Sequence, residues 1–241
     1  MFSALGKAFA QAFDPAFRRV LLVSLAGAVG IFLLLWALAW FGLAWTGEAL
    51  SGWIAAREPG SFWVRAFEWI FGAAGLIAVL VASFFLFPSV MATVISLFLE
   101  DIATAVEDRY YPDLAPPRNP SIREAILTSA AFTGVTLALN LLALPLYLLL
   151  LFVPPLNLFV FYMLNGYLLG REYFEIVAAR RAGVQGVKRL RRAYRGRLFV
   201  AGVIIAFFLT LPLVNLVMPI IATAFMLHVF EVLRRRERAP A

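Results

Sequence analysis

The chain has 241 residues, 63% of them hydrophobic and 15% charged, with mean hydropathy +0.89 and a formal net charge of +7. Soluble domains carry about 25% charged residues, and too few are present here to cover a water-facing surface. The composition excludes a soluble globular fold and gives an all-α integral membrane protein, read as a single membrane domain over 1–241. Cysteine is absent, which excludes disulfides and cysteine metal sites, and a single histidine argues against histidine-rich metal chemistry.

The charges are clumped. Nothing ionisable lies between Arg19 and Glu48, Glu68 and Glu100, Glu124 and Arg171, or Arg197 and His228. A spanning helix needs about 20 apolar residues, and each gap supplies them. At the start, Phe2, Leu5, Phe9 and Phe13 fall on one helical face and Ser3, Lys7 and Gln11 on the other. That pattern predicts an interfacial amphipathic helix over 1–14. Asp14 and Pro15 restart the chain, and Arg18 and Arg19 mark the headgroup level before a transmembrane helix over 16–45. Its apolar run is too long for a signal-peptide core and is read as retained. A loop over 46–65 follows, with Glu48, Arg57, Glu58, Pro59, Gly60 and Arg65.

The second transmembrane helix is longer, 67–107, with a kink expected at Pro88 because the ring removes a backbone donor. It stops before Pro112, at the rigid stretch that ends at Pro120. The third gap holds 46 uncharged residues, too many for one helix, and Pro154-Pro155 divides it. Pro212 divides the fourth gap. Three of the four resulting arms fall short of a span, so 122–179 and 198–233 read as two helical hairpins that enter the bilayer and return. The hairpins resemble each other weakly. Asn157 and Asn215 match at the tips with an offset of 58, and Phe174-Glu175 and Phe230-Glu231 match at the exits with an offset of 56. Between them, Val184, Val187, Leu190, Tyr194 and Leu198 recur at helical spacing among Lys188, Arg189, Arg191, Arg192 and Arg195. This predicts a basic amphipathic helix over 184–197 that meets anionic headgroups. The fold class is thus two long transmembrane helices, two short re-entrant hairpins and interfacial helices.

Nine basic residues lie in 171–197 and four more in 234–238, against two in 46–65. The positive-inside rule places both termini and 171–197 in the cytoplasm.

Glu100, Asp101, Glu107 and Asp108 put two carboxylates on each of two helix faces, with Arg109 and Arg123 expected within reach. They read as a gating network or as a salt-bridged helix end. Glu172, Glu175, His228 and Glu231 lie at membrane exits, where structural pairing is the simpler reading. Arg18 and Arg19 offer planar donor forks that suit an oxyanion; headgroup anchoring is the alternative. Asn157 and Asn215 sit where a helix starts inside the membrane, either as caps or as amide donors to an anion. No Gly-rich loop ending in Lys-Ser/Thr, no His-Glu-x-x-His and no nucleophile elbow occur. The chain is therefore read as no enzyme, with no cofactor, no metal and no nucleic-acid partner.

The sequence resembles the CysZ-type sulfate permeases and the wider etoposide-induced membrane protein group. The resemblance covers nearly the whole chain. Its motifs are Asp14-Pro-Ala-Phe-Arg18-Arg19, the segment from Glu100 to Arg109 with Tyr111-Pro112, and Leu211-Pro-Leu-Val-Asn-Leu-Val-Met-Pro219. It implies ATP-independent sulfate entry across a bacterial inner membrane, supplying cysteine synthesis, and the same two long spans with two pairs of partly penetrating helices. In that family a Gly-Leu-Arg motif at the first long helix binds sulfate. The matching residues are Ala16, Phe17 and Arg18, followed by Arg19, so the arginine is kept and the glycine is not. Glu100, Glu107, Arg109, Asn157 and Asn215 are the candidate pore or gate residues, and a homo-oligomer is expected to bury the polar hairpin tips. A non-conducting membrane-shaping or assembly protein, or a permease for another solute, is the alternative.

Overall fold

A computed structural model describes residues 1–56, 62–118 and 121–238. The expected loop residues Arg57, Glu58, Pro59 and Gly60, and Pro120 at the end of the rigid stretch, lie outside the described residues. Eight α-helices and no strand occur among those described: α1 (Phe2–Gln11), α2 (Pro15–Ala55), α3 (Phe62–Ser96), α4 (Leu99–Tyr110), α5 (Ile122–Leu149), α6 (Pro154–Ala193), α7 (Arg195–Leu209) and α8 (Val214–Arg238). Four stretches are long and apolar enough to cross a membrane: Pro15–Ala55, Val64–Ser96, Ile122–Phe152 and Val214–Glu237. The protein is an all-α, multi-pass membrane protein.

The helix starts follow local chemistry. Pro15 opens α2 and Pro154 opens α6, where a missing N–H costs nothing because the first turn has no intrahelical acceptor for it. Ser121 caps α5 by accepting a hydrogen bond from the Glu124 backbone N–H at 3.2 Å. Glu100 and Asp101 stand in the first turn of α4 and Arg109 in its last, matching the helix dipole at both ends. The stretch 67–107 expected as one helix is two, because the chain turns at Leu97 and Phe98. There the Leu97 N–H bonds the Val94 carbonyl at 3.2 Å, a tighter step than the α-helical one. α3 continues through Pro88, and α5 through Pro145.

Residues 21–97 form one packing unit, and residues 1–20 with 98–241 form another. In the first, α2 and α3 meet through a hydrogen bond and an aromatic pair. Trp36 Nε1 donates to Ser83 Oγ at 2.8 Å, and Phe32 and Phe87 pack with ring centroids 5.8 Å apart. Leu34, Trp40, Phe41, Trp69, Phe84 and Phe85 remain exposed, a surface suited to lipid rather than water.

In the second unit α8 is the centre. Its residues from Met218 to Phe230 are buried almost without a break, beneath α1, α4, α6 and α7. The short arm expected over 213–230 is therefore part of a 25-residue helix, and the apolar arm before Arg171 is part of the 40-residue α6. α7 alone stays short, at 15 residues, or about 22 Å against the roughly 30 Å of a hydrocarbon core. α6 and α7 touch backbone to backbone: a Cβ on Gly202 would collide with the Gly166 carbonyl oxygen and the Gly170 nitrogen. Phe174 and Phe230, from the two weakly repeated exit motifs, meet edge to face at 6.0 Å. Gly183 breaks α6 with φ 61° and ψ 170°, a conformation open to glycine, and turns the basic segment 184–193 back on the helix.

Candidate functional site

α4 carries Glu100, Thr104 and Glu107 at spacings of four and three, so all three share one face. That face meets Arg180 and Arg181 of α6. Arg180 Nη1 donates to Glu100 Oε1 at 2.9 Å, while its Nη2 donates to Thr104 Oγ1 at 2.9 Å and to Glu107 Oε2 at 3.1 Å. Arg181 grips the same carboxylate with its fork, from Nε to Oε1 at 2.8 Å and from Nη2 to Oε2 at 2.7 Å. Its Nη1 also reaches the Ala115 carbonyl at 2.6 Å. The side chains of Arg180, Arg181 and Glu107 are each 7% exposed, and Glu100 is open to solvent. Burial pushes the Glu107 carboxyl upward. The hydrogen bonds and charges of Arg181 and Arg180 outweigh that and hold it below the ordinary carboxylate range.

The expected partners for these carboxylates were Arg109 and Arg123. Both are placed elsewhere. Arg109 pairs with Asp14, tying the end of α4 to the corner between α1 and α2. Arg123 lines a cleft between α5 and α6. The adjacent arginines at 180 and 181 are the signal that bears on this: two cations in one turn require carboxylates when buried, and Glu100 and Glu107 share one helical face in the acidic segment 100–108. With two guanidinium groups facing two carboxylates, the cluster is internally neutral. It latches α4 to α6 and has little donor capacity left for a free anion.

Tyr111 extends the same end of α4. Its hydroxyl shares a 2.9 Å hydrogen bond with Nδ1 of His228, and Tyr110 packs edge-on against the imidazole at 4.9 Å. Burial, followed by the Glu231 charge, pushes the Tyr111 phenol up to about 12. It stays protonated at neutral pH. Glu175 is held by Arg171 at 2.8 Å and by Arg191, and Glu231 by Arg234 at 2.8 Å. Of the four exit residues, Glu175, His228 and Glu231 are thus partnered, while Glu172 makes no hydrogen bond or ion pair with another described residue.

Ala16, Phe17, Arg18 and Arg19 form the first turn of α2. Phe17 is buried, whereas Ala16, Arg18 and Arg19 face outward. Neither arginine makes an ion pair with another described residue, so both guanidinium forks are open at the mouth of the first span. Asn157 is the fourth residue of α6 and Asn215 the second of α8. Both are half-buried, and neither stands at a cap position. Capping is thus no explanation for them. No described hydrogen bond or ion pair links Arg18, Arg19, Asn157 or Asn215 to Glu100, Glu107 or Arg109.

A family model described as sulfate transporter CysZ/etoposide-induced protein 2.4 matches residues 4–219. The chain belongs to this family. The match takes in the first turn of α2, the whole Glu107 cluster and the start of α8, and ends before His228, Glu231 and Arg234. No curated protein and no solved structure matches the chain. The family makes it a sulfate-transporter-type membrane protein, and its group is one of transporters rather than enzymes.

Proposed function

We propose that the protein is an ATP-independent permease or channel that admits sulfate across a bacterial inner membrane and supplies cysteine synthesis. The observation that carries this reading is the open pair of guanidinium groups, Arg18 and Arg19, at the start of the first span of a sulfate-transporter family member. A tetrahedral dianion accepts two parallel N–H donors from one guanidinium, which a lysine does not offer. Ala16 and Phe17 shape the turn beneath it. Glu100, Glu107, Arg109, Asn157 and Asn215 belong to the conduction path or its gate in this reading, with the Arg180–Arg181 latch fixing the gate's closed position. The short α7 supports a hairpin that dips into the bilayer, and a homo-oligomer buries its tip. Both termini and 171–197 face the cytoplasm, next to anionic headgroups.

The deciding measurement is sulfate flux into liposomes that contain only the purified protein. Wild type should conduct, and Arg18→Ala should weaken sulfate binding by about tenfold or more, the scale of a lost charge-assisted hydrogen bond. Arg18→Lys should recover part of that loss, and Arg236→Ala should behave as wild type. Equal affinity in wild type and Arg18→Ala removes Arg18 from the site. An absence of both flux and binding favours the non-conducting scaffold.

Orientation is separately testable, because the chain has no cysteine. Gln185→Cys and Gly52→Cys both place a thiol at an exposed position. In intact cells an impermeant maleimide should label Gly52→Cys and spare Gln185→Cys. The opposite pattern reverses the topology.

A further inference from the structure

The first turns of α5 and the folded-back second half of α6 enclose a cleft of about 400 Å³ that neither the Glu107 cluster nor the Arg18 turn uses. One wall is basic. Arg123, Arg171, Lys188 and Arg191 line it, against Glu124 and Glu175. Both carboxylates are already bound: Glu124 by Arg118, and Glu175 by Arg171 and Arg191. Arg123 and Lys188 are exposed and make no ion pair with another described residue. Leu127 and Ala131 of α5 and Val184 and Val187 of α6 give the same lining an apolar stretch.

The place of the cleft selects its occupant. Arg123 stands in the first turn of the candidate span Ile122–Phe152, which is the depth of a phospholipid headgroup. From there an apolar wall runs on along α5 through Leu127, which is 59% exposed, to Ala131. A free oxyanion has no use for that wall; an acyl chain does. The Gly183 turn is what brings Lys188 and Arg191 over this spot, because a straight α6 would carry them away from Glu175.

We propose that this cleft is a specific site for one anionic phospholipid, its phosphate held between Arg123 and Lys188 and its acyl chain laid along Leu127 and Ala131. The site does not depend on whether the protein moves sulfate.

Native mass spectrometry of the detergent-purified protein, titrated with phosphatidylglycerol and with phosphatidylcholine, tests it. One phosphatidylglycerol should bind with preference over phosphatidylcholine. Arg123→Gln with Lys188→Gln should lower that affinity by about thirtyfold, since each of the two cations near a headgroup contributes about 1 kcal/mol. Arg236→Gln should leave it unchanged, although it removes a charge of the same sign. Ala131→Trp fills the apolar end without altering charge and should weaken phosphatidylglycerol as well. Unchanged circular dichroism and unfolding midpoints confirm that each variant is folded. Retention of the bound lipid in the folded double variant overturns the site. So does displacement of phosphatidylglycerol by millimolar sulfate with no effect of Ala131→Trp, which makes the cleft a free-oxyanion site.

Discussion

Glu107→Gln should destabilise the protein by about 3 kcal/mol, toward the lower end of what breaking a buried ion pair costs. The amide keeps the shape of the carboxylate but leaves Arg181 without an ion-pair partner and Arg180 with only the solvent-exposed Glu100. Asp108→Asn, one residue along on the exposed side of α4, should stay within about 0.5 kcal/mol of wild type. Equilibrium unfolding in mixed micelles, followed by circular dichroism, reads both. A Glu107→Gln midpoint equal to that of wild type would show that the cluster is hydrated and weak. The cost lies in orphaned charge rather than in lost attraction, so a further variant separates the two. Glu107→Leu with Arg180→Met and Arg181→Leu removes the charges together and should recover more than half of the loss.

The same carboxylate sets a pH dependence. Its folded pKa lies below its ordinary value of 4.5. The stability it contributes is therefore present in full above that value, and is lost as pH falls through the depressed folded one. Wild type should lose stability over this acid range more steeply than Glu107→Gln, which has no proton to take up there.

How much of this was legible in the sequence depends on the range of the interaction that decides each feature. Pro15, read as a restart, and Pro154, read as a divider, are the first residues of α2 and α6, because a missing N–H acts within one turn. The division of 67–107 was not legible. Ser96, Leu97, Phe98 and Leu99 contain no glycine or proline, and a break in such a run is set by packing rather than by propensity. Arm lengths counted between charges undercounted α6 and α8 for a related reason. Arg171 and Glu231 look like membrane exits in the sequence, yet both are buried and paired inside helices that continue past them. At the candidate site, local spacing points to Glu100 and Glu107 but not to the cations that bind them. Arg109 and Arg123 are near in sequence, whereas Arg180 and Arg181 arrive from more than 70 residues away. No local pattern carries that pairing; only the requirement that buried arginines find carboxylates points to it.

Gly202→Val should cost at least about 3 kcal/mol, although valine is by itself the better helix former. Intrinsic propensity favours replacing a helical glycine by as much as about 1 kcal/mol. The local geometry opposes it. A Cβ at Gly202 meets the Gly166 carbonyl oxygen and the Gly170 nitrogen, and a Cβ at Gly170 meets the Leu198 carbonyl. These obstacles are backbone atoms and cannot rotate aside, so α6 and α7 must separate. Between helices in a bilayer, close packing is the main attraction, because lipid tails compete with any apolar side chain. Separation therefore forfeits the contact along the whole Gly166–Gly170 stripe. Gly196→Ala, also in α7, is the control: nothing lies within 4 Å of the added methyl. It should be neutral or stabilising by up to about 1 kcal/mol. The two variants differ in sign only if the helices touch backbone to backbone. A Gly202→Val protein as stable as Gly196→Ala, by the same unfolding titration, would mean that α6 and α7 pack through side chains instead.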